Sequence, residues 1–235
     1  MSKKRWKTWQ PLPHLEVWRS ELAKRMGAAQ ADQFLEGVQD RYAHLYAGRI
    51  RYEDAALREH LEENILPGLA LYQALLEAGQ RPSQALDLVQ QLFYAALRKR
   101  RKQLKFLGRL PFFFTLLRIV TRPFTNRNFP PKGWQIEWLD LNHKVVGFDM
   151  HSCFYLDMLD AYGVPELAAV FCNLDDLLYE DLSPYMRWER TKTLARGDDC
   201  CDFRFHRARP APELHPESIK PDEPDTTSRE KRKAD

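Results

Sequence analysis

The sequence predicts an α+β fold: a helical N-terminal half packed with a small antiparallel sheet and two short helices, followed by a disordered C-terminal tail. Three observations carry this. Apolar residues recur at intervals of three and four through the first half. After Pro130 and Pro131 the period drops to two, with Trp134, Ile136 and Trp138 alternating with Gln135 and Glu137. From about residue 209 the chain is rich in Pro and charge and too poor in apolar groups to offset its ordering entropy.

Residues 1–13 are basic and Pro-punctuated, an arm anchored by Trp6 and Trp9. The single domain spans 14–208, divided into a helical part over 14–122 and a sheet-and-cysteine part over 132–208; the tail is 209–235. The first helix begins near His14, with Leu15, Trp18, Leu22 and Met26 on one face and Gly27 as its stop. A second helix covers 31–47 through the stripe Phe34, Leu35, Val38, Tyr42 and Leu45. The third, over 52–78, contains Pro67, which lacks an N–H, so a kink or break is expected there. Pro82 and Ser83 open a fourth helix that runs to about Phe106 and turns basic in its second half. Pro111 starts another short apolar segment, and Pro123, Pro130 and Pro131 mark a linker. A hairpin follows, turning around 140–143 into Val145 and Met150. Cys153 opens one short helix, a second spans 165–179, and 190–205 reads as a further hairpin that turns at Gly197.

At 235 residues the chain is long enough to bury a sizeable core. No apolar h-region follows Lys3, Lys4 and Arg5, and the longest apolar run is far shorter than a membrane span. Four cysteines without regular spacing fit a reducing compartment, so a cytoplasmic location is expected. The net charge of +3 is uninformative, but its distribution is not: between Asp87 and Glu137 there are eleven Lys and Arg and no acid. Six of them fall between Arg98 and Lys105. A solvated helix face is the default reading of that run; an anionic membrane surface is the alternative partner. Nucleic acid is disfavoured, because no recognition motif accompanies the charge and the aromatics are clustered rather than interleaved.

The chemistry-bearing residues gather near the C-terminal end. On a helix over 165–179, Asp175 and Asp176 lie three and four residues after Cys172 and share its face. On a strand, Cys201, Phe203 and Phe205 point one way while Asp202, Arg204 and His206 point the other. Taken singly, each cysteine reads as a small core hydrophobe and each acid as surface. No two cysteines have zinc-finger spacing, so neither a metal nor a cofactor is expected.

Together these segments resemble a known family. CFYLDMLDAYGVPELAAVFCNLDD followed by RTKTLARGDDCCDFRF is similar to the signature of the L-2-amino-thiazoline-4-carboxylic acid hydrolases, and ILPGLALYQALLEAG is similar to the family's upstream helix. The likeness spans roughly residues 30–206. It implies a hydrolase acting on a small-molecule substrate, in which water adds to the C=N carbon of a five-membered ring carrying an amino group, a sulfur and a carboxylate. On that basis Asp202 or Asp175 is the expected base, and Cys201 or Cys172 the expected nucleophile or acid, provided a neighbouring Arg lowers the thiol pKa. Arg190, with Thr193 and Cys153, is expected to bind substrate, the Arg through its carboxylate. The alternative is a non-catalytic metal- or redox-responsive binding protein on the same domain. The hydrolase reading requires Cys153, Cys172 and Cys201 to converge.

Overall fold

The computed structural model describes residues 11–209. All of the tail but its first residue, and all of the basic arm but its last three, including Trp6 and Trp9, lie outside the described residues. The chain is mostly helical, with a four-stranded antiparallel sheet, as an α+β reading requires. The helices are α1 (Leu15–Met26), α2 (Ala28–Gly48), α3 (Ala55–His60), α4 (Leu66–Glu77), α5 (Pro82–Leu107), α6 (Phe113–Asn128), α7 (Phe154–Ala161) and α8 (Ala168–Tyr179). The strands are β1 (Ile136–Leu141), β2 (Val145–Met150), β3 (Met186–Glu189) and β4 (Cys201–Arg207), in the order β1-β2-β4-β3. No helix among the described residues is long and apolar enough to cross a membrane.

Pro67 leaves its mark without a break. The chain stays helical from Ala55 to Glu77 through a π-helical turn, Leu61–Ile65, and Pro67 falls at the start of α4. In π register the Glu62 carbonyl would pair with the N–H of residue 67, which proline lacks. The Tyr42 hydroxyl donates to that carbonyl instead, at 3.0 Å. Tyr42 itself is fully buried, so α2 is fastened to the turn by the bond that proline vacates.

Three sequence expectations need correction. Pro123 does not mark a linker: α6 runs through it to Asn128. The proline is exposed, so the carbonyl it leaves unpaired can be hydrated at low cost. The second hairpin is shifted as well. The strand pairing with β4 is Met186–Glu189, and Arg190 and Thr193 lie just beyond it, in an ordered connection with a short 3-10 turn at Leu194–Arg196. Gly197 closes that turn at φ +90°, a conformation other residues resist. Pattern reading failed because Asp202 pulls residues 191–192 out of strand pairing, as described below. Trp134, grouped with the first strand by its alternation, precedes β1 and is buried against His60, Phe129 and Phe154.

One face of the sheet is the core face. Val146 pairs with Phe205, Phe148 with Phe203, and Met150 with Cys201, and all six are buried. Phe148 and Phe203 stack at 4.8 Å with rings nearly parallel, a contact worth roughly 0.5–1.5 kcal/mol beyond its buried area. The opposite face carries Asp149 and Arg204, bridged at 2.7 Å. Helix α8 lies across the core face: Tyr179 packs on Trp188 and Phe205 at ring separations of 5.0 and 5.1 Å. On its other side α8 meets α4 so closely that a Cβ on Gly68 would sit 2.9 Å from the Phe171 ring. The G-x-P-E-L turn before α8 is tied to α4 by the Tyr72 hydroxyl, which donates to Glu166 at 2.9 Å.

Candidate functional site

Helix α8 aims Cys172, Asp175 and Asp176 at the connection leaving β3, and Arg190 meets them there. Its side chain is only 2% exposed. One nitrogen donates to Asp176 Oδ2 and to the Cys172 carbonyl, both at 2.7 Å, and the other reaches Asp175 Oδ2 at 3.5 Å. The guanidinium also lies 5.4 Å from the Phe203 ring centre and 5.9 Å from that of Trp188. Trp188 Nε1 donates to the other Asp176 oxygen at 3.0 Å. Asp176 is therefore fixed from two sides, while Asp175 is held loosely.

Cys153 caps the start of α7, Cys172 is on α8 and Cys201 begins β4; Cys172 lies within electrostatic reach of the other two, and Cys201 within reach of Cys153. Burial, and then the neighbouring Cys153 and Cys201, push Cys172 far above the ordinary thiol range against the pull of Arg190. Burial raises Cys201 to about 11, although the Leu194 N–H points at its sulfur at 3.3 Å. Cys153 is raised by burial too, despite the N–H groups of Leu156 and Tyr155 at the start of α7. Arg190 thus does not lower these pKa values enough to make a resting thiolate, and all three groups are protonated at neutral pH.

Asp175 behaves differently. Burial in its protein surroundings raises it to about 6, with Arg190 opposing and Asp176 reinforcing the shift. Yet 40% of its side-chain surface reaches solvent. A carboxyl with that pKa suits proton transfer near neutrality. Cys153 and Cys172, each half-buried, lie near enough for Asp175 to raise their thiols further.

Asp202 is elsewhere. It projects from the opposite face of β4 to Cys201 and clamps the connection: Oδ1 accepts the N–H groups of Thr191 and Lys192 at 2.8 and 2.6 Å, and Oδ2 the Thr191 hydroxyl at 2.6 Å. Burial would raise its pKa, but these donors hold it below the ordinary carboxylate range. Thr193 is buried; its N–H donates to Asp198 at 2.7 Å, and its hydroxyl has no protein partner among the described residues. Cys200, also buried, feels Asp149, Asp199 and Lys192 rather than the three thiols.

Sequence reasoning missed a histidine–tyrosine pair at the edge of the cluster. His60 Nε2 lies 2.9 Å from the Asn128 carbonyl, which can only accept, so Nε2 carries the proton. Nδ1 is then the acceptor for the Tyr155 hydroxyl at 2.8 Å. Burial lowers the His60 pKa, in keeping with a neutral ring. The Tyr155 phenol, two residues after Cys153, is in turn raised by burial and by the nearby Cys153 and Asp175. The two residues are 95 positions apart, and no local pattern links them.

Among the described residues, no three His, Cys, Asp or Glu side chains are placed to hold a metal ion. Two shallow surface clefts lie away from the thiols: one of about 380 Å³ between α2 and α4, including Phe34 and Arg41, the other on the basic half of α5.

The family model for L-2-amino-thiazoline-4-carboxylic acid hydrolase matches residues 58–205, which include every residue of this cluster. The chain belongs to that family. The match takes in the G-x-P-E-L turn, the Cys172 helix and the segment from Arg190 to Phe203. No curated protein matches the chain. Among solved structures it is similar to the Fe(II) unliganded H-NOX protein from K. algicida, with a TM-score of 0.36, 8% identity, and 88% of this chain and 99% of that one covered. It is also similar to the SO2144 H-NOX domain from Shewanella oneidensis in the Fe(II)CO ligation state, with a TM-score of 0.39, 10% identity and coverage of 84% and 98%. Likeness at this level says nothing about what the chain binds.

Proposed function

We propose that this chain is a hydrolase of the family's type, opening a small cyclic C–N/C–S substrate by adding water. The supporting observation is Asp175: an accessible carboxylate with its pKa raised to about 6, set beside thiols that remain protonated. Asp175 takes a proton from the attacking water as oxygen bonds to the C=N carbon. Cys172 gives its proton to the ring sulfur or nitrogen as that atom departs. The proton held on Asp175 then returns to the Cys172 thiolate once product leaves, so both groups are restored.

The remaining residues take positioning or binding roles. Arg190 is committed to Asp175, Asp176 and the Cys172 carbonyl, so it orients the base rather than receiving the substrate carboxylate. Asp202 shapes the loop that carries Arg190 and Thr193. Cys153, half-buried near Asp175, is the substrate contact in this reading. We place the protein in a cytoplasm, where its four free thiols persist.

A second reading, a redox-responsive binding protein, draws on the electrostatic proximity of Cys153 and Cys201 to Cys172. Turnover of L-2-amino-thiazoline-4-carboxylate by purified protein and by Asp175→Asn and Cys172→Ser separates the two. The hydrolase reading expects measurable ring opening that drops about 100-fold or more in the Asp175 variant. Turnover equal in wild type and in both folded variants would leave the redox reading ahead.

A further inference from the structure

Helix α6 turns an apolar stripe outward. Phe112, at its N-terminal boundary, is 59% exposed, and Leu116, Ile119, Val120 and Phe124 follow at 38, 62, 43 and 46%. Their spacing of three and four residues places them on one side of the helix. The opposite side is used inward through Phe114 and Thr125, and Phe113 is buried in the first turn. A helix that buries one apolar face and still exposes a second is unusual, because large contiguous apolar exposure marks a surface meant to be covered. Phe106 at 70% and Leu107 at 40% extend apolar exposure into the end of α5.

What surrounds these groups identifies the cover. From residue 88 to residue 136 the chain carries eleven cations and no anion. Three of those cations have structural work: Arg98 pairs with Glu21 at 2.9 Å, Arg101 donates to the Leu177 and Glu180 carbonyls at the end of α8, and Arg122 lies 5.6 Å from the Trp138 ring centre. Lys99, Arg100, Lys102, Lys105 and Arg109 form no ion pair among the described residues. Charge and oil meet directly on α5, where Arg100 and Lys102 share a shallow hollow of about 660 Å³ with Leu104, Phe106 and Leu107. A solvated basic face would not need the apolar groups. A protein partner would leave the one-sided charge unexplained unless it too were strongly acidic.

We propose that the end of α5 and the outward face of α6 form a docking surface for an anionic lipid bilayer, with α6 lying in the interface plane. Its apolar stripe enters the headgroup boundary while the neighbouring lysines and arginines meet lipid phosphates. The surface is built from α5 and α6 residues outside the thiol cluster and does not depend on what that cluster catalyses.

The test is sedimentation of the full chain with vesicles of phosphatidylcholine, alone or with about one-third phosphatidylglycerol. The chain is expected to sediment with the mixed vesicles, much more weakly with pure phosphatidylcholine, and progressively less as salt rises. Lys102→Gln with Lys105→Gln should weaken partitioning roughly tenfold or more, and Ile119→Glu should weaken it by a similar factor. Both variants alter exposed side chains, so their thermal unfolding should match wild type and give an independent check on folding. Absence of binding to mixed vesicles overturns the proposal. So does equal binding to both vesicle types, or wild-type binding by both variants. A duplex oligonucleotide that binds more tightly than mixed vesicles at the same salt overturns it in favour of nucleic acid. A stable dimer in sedimentation velocity that Ile119→Glu dissociates overturns it in favour of a second copy of the chain.

Discussion

Replacing Arg190 by Met isolates the electrostatic role of the buried guanidinium. Methionine keeps most of the apolar stem beside Trp188 and Phe203 but removes the hydrogen bonds to Asp176, Asp175 and the Cys172 carbonyl. A good charge-assisted bond contributes about 1.5–3 kcal/mol. Here both carboxylates keep near 40% of their surface open, so water replaces part of what is lost. The contact to Asp175 is at the distance limit, and the Cys172 carbonyl retains its helical position. The net cost is about 2–3 kcal/mol, or roughly 5–10 °C in Tm for a domain of this size. The pH dependence is the sharper signature. Arg190 is the group that opposes the upward shift of Asp175, so its loss moves the folded pKa further above the unfolded value of 3.8. A carboxyl raised in the folded state costs stability as pH rises through that window. The deficit should therefore be smaller near pH 4, where only the bonds to Asp176 and the Cys172 carbonyl are missed, and grow as pH rises past about 6, as read by urea unfolding across that range. A loss below about 0.5 kcal/mol, or one larger in acid than in base, would refute the electrostatic account.

Asp175→Asn should stabilise the fold above pH 7 by an amount on the order of 1 kcal/mol, discounted for the solvent exposure of the carboxylate, while lowering turnover. The gain should vanish below pH 4, where the folded carboxyl is already protonated, and thermal melts at two pH values will show it. Gly68→Ala pushes a methyl group to within 2.9 Å of the Phe171 ring and 3.3 Å of Phe93, so it should cost about 1–3 kcal/mol in urea unfolding; a change under half of that range's lower end means α4 and α8 have slack. Tyr155→Phe removes the donor to His60 Nδ1 and should cost about 1–2 kcal/mol, a figure that wild-type stability in the variant would contradict.

Much of this architecture is legible in the sequence, and the misses have physical causes. The helix stripes ending at Gly27 and Gly48 are local and therefore readable, as is the face shared by Cys172, Asp175 and Asp176. Cys201 and Asp202 also point to opposite sides of their strand, as period two requires. Pro123 misled because proline costs less where the carbonyl it frees can be hydrated, and burial is not a local property. Arg190 was read as strand, since nothing in R-T-K-T announces that Asp202, ten residues later, captures two of its N–H groups. That Arg190 also meets Asp175 and Asp176 is not legible either, because the acids around it depend on how α8 docks. His60 was invisible for the same reason: its partners, Asn128 and Tyr155, come from two other elements.

The most direct measurement is the pH dependence of kcat/KM for ring opening of L-2-amino-thiazoline-4-carboxylate by the full chain. The account predicts a single acid limb that levels off above a midpoint at about 6, the value for Asp175. That midpoint should move upward in Arg190→Met, and the limb should disappear with the activity in Asp175→Asn. A profile flat from about pH 5 to about pH 8, or one with an unchanged limb in the Asp175 variant, contradicts the assignment of Asp175 as the base.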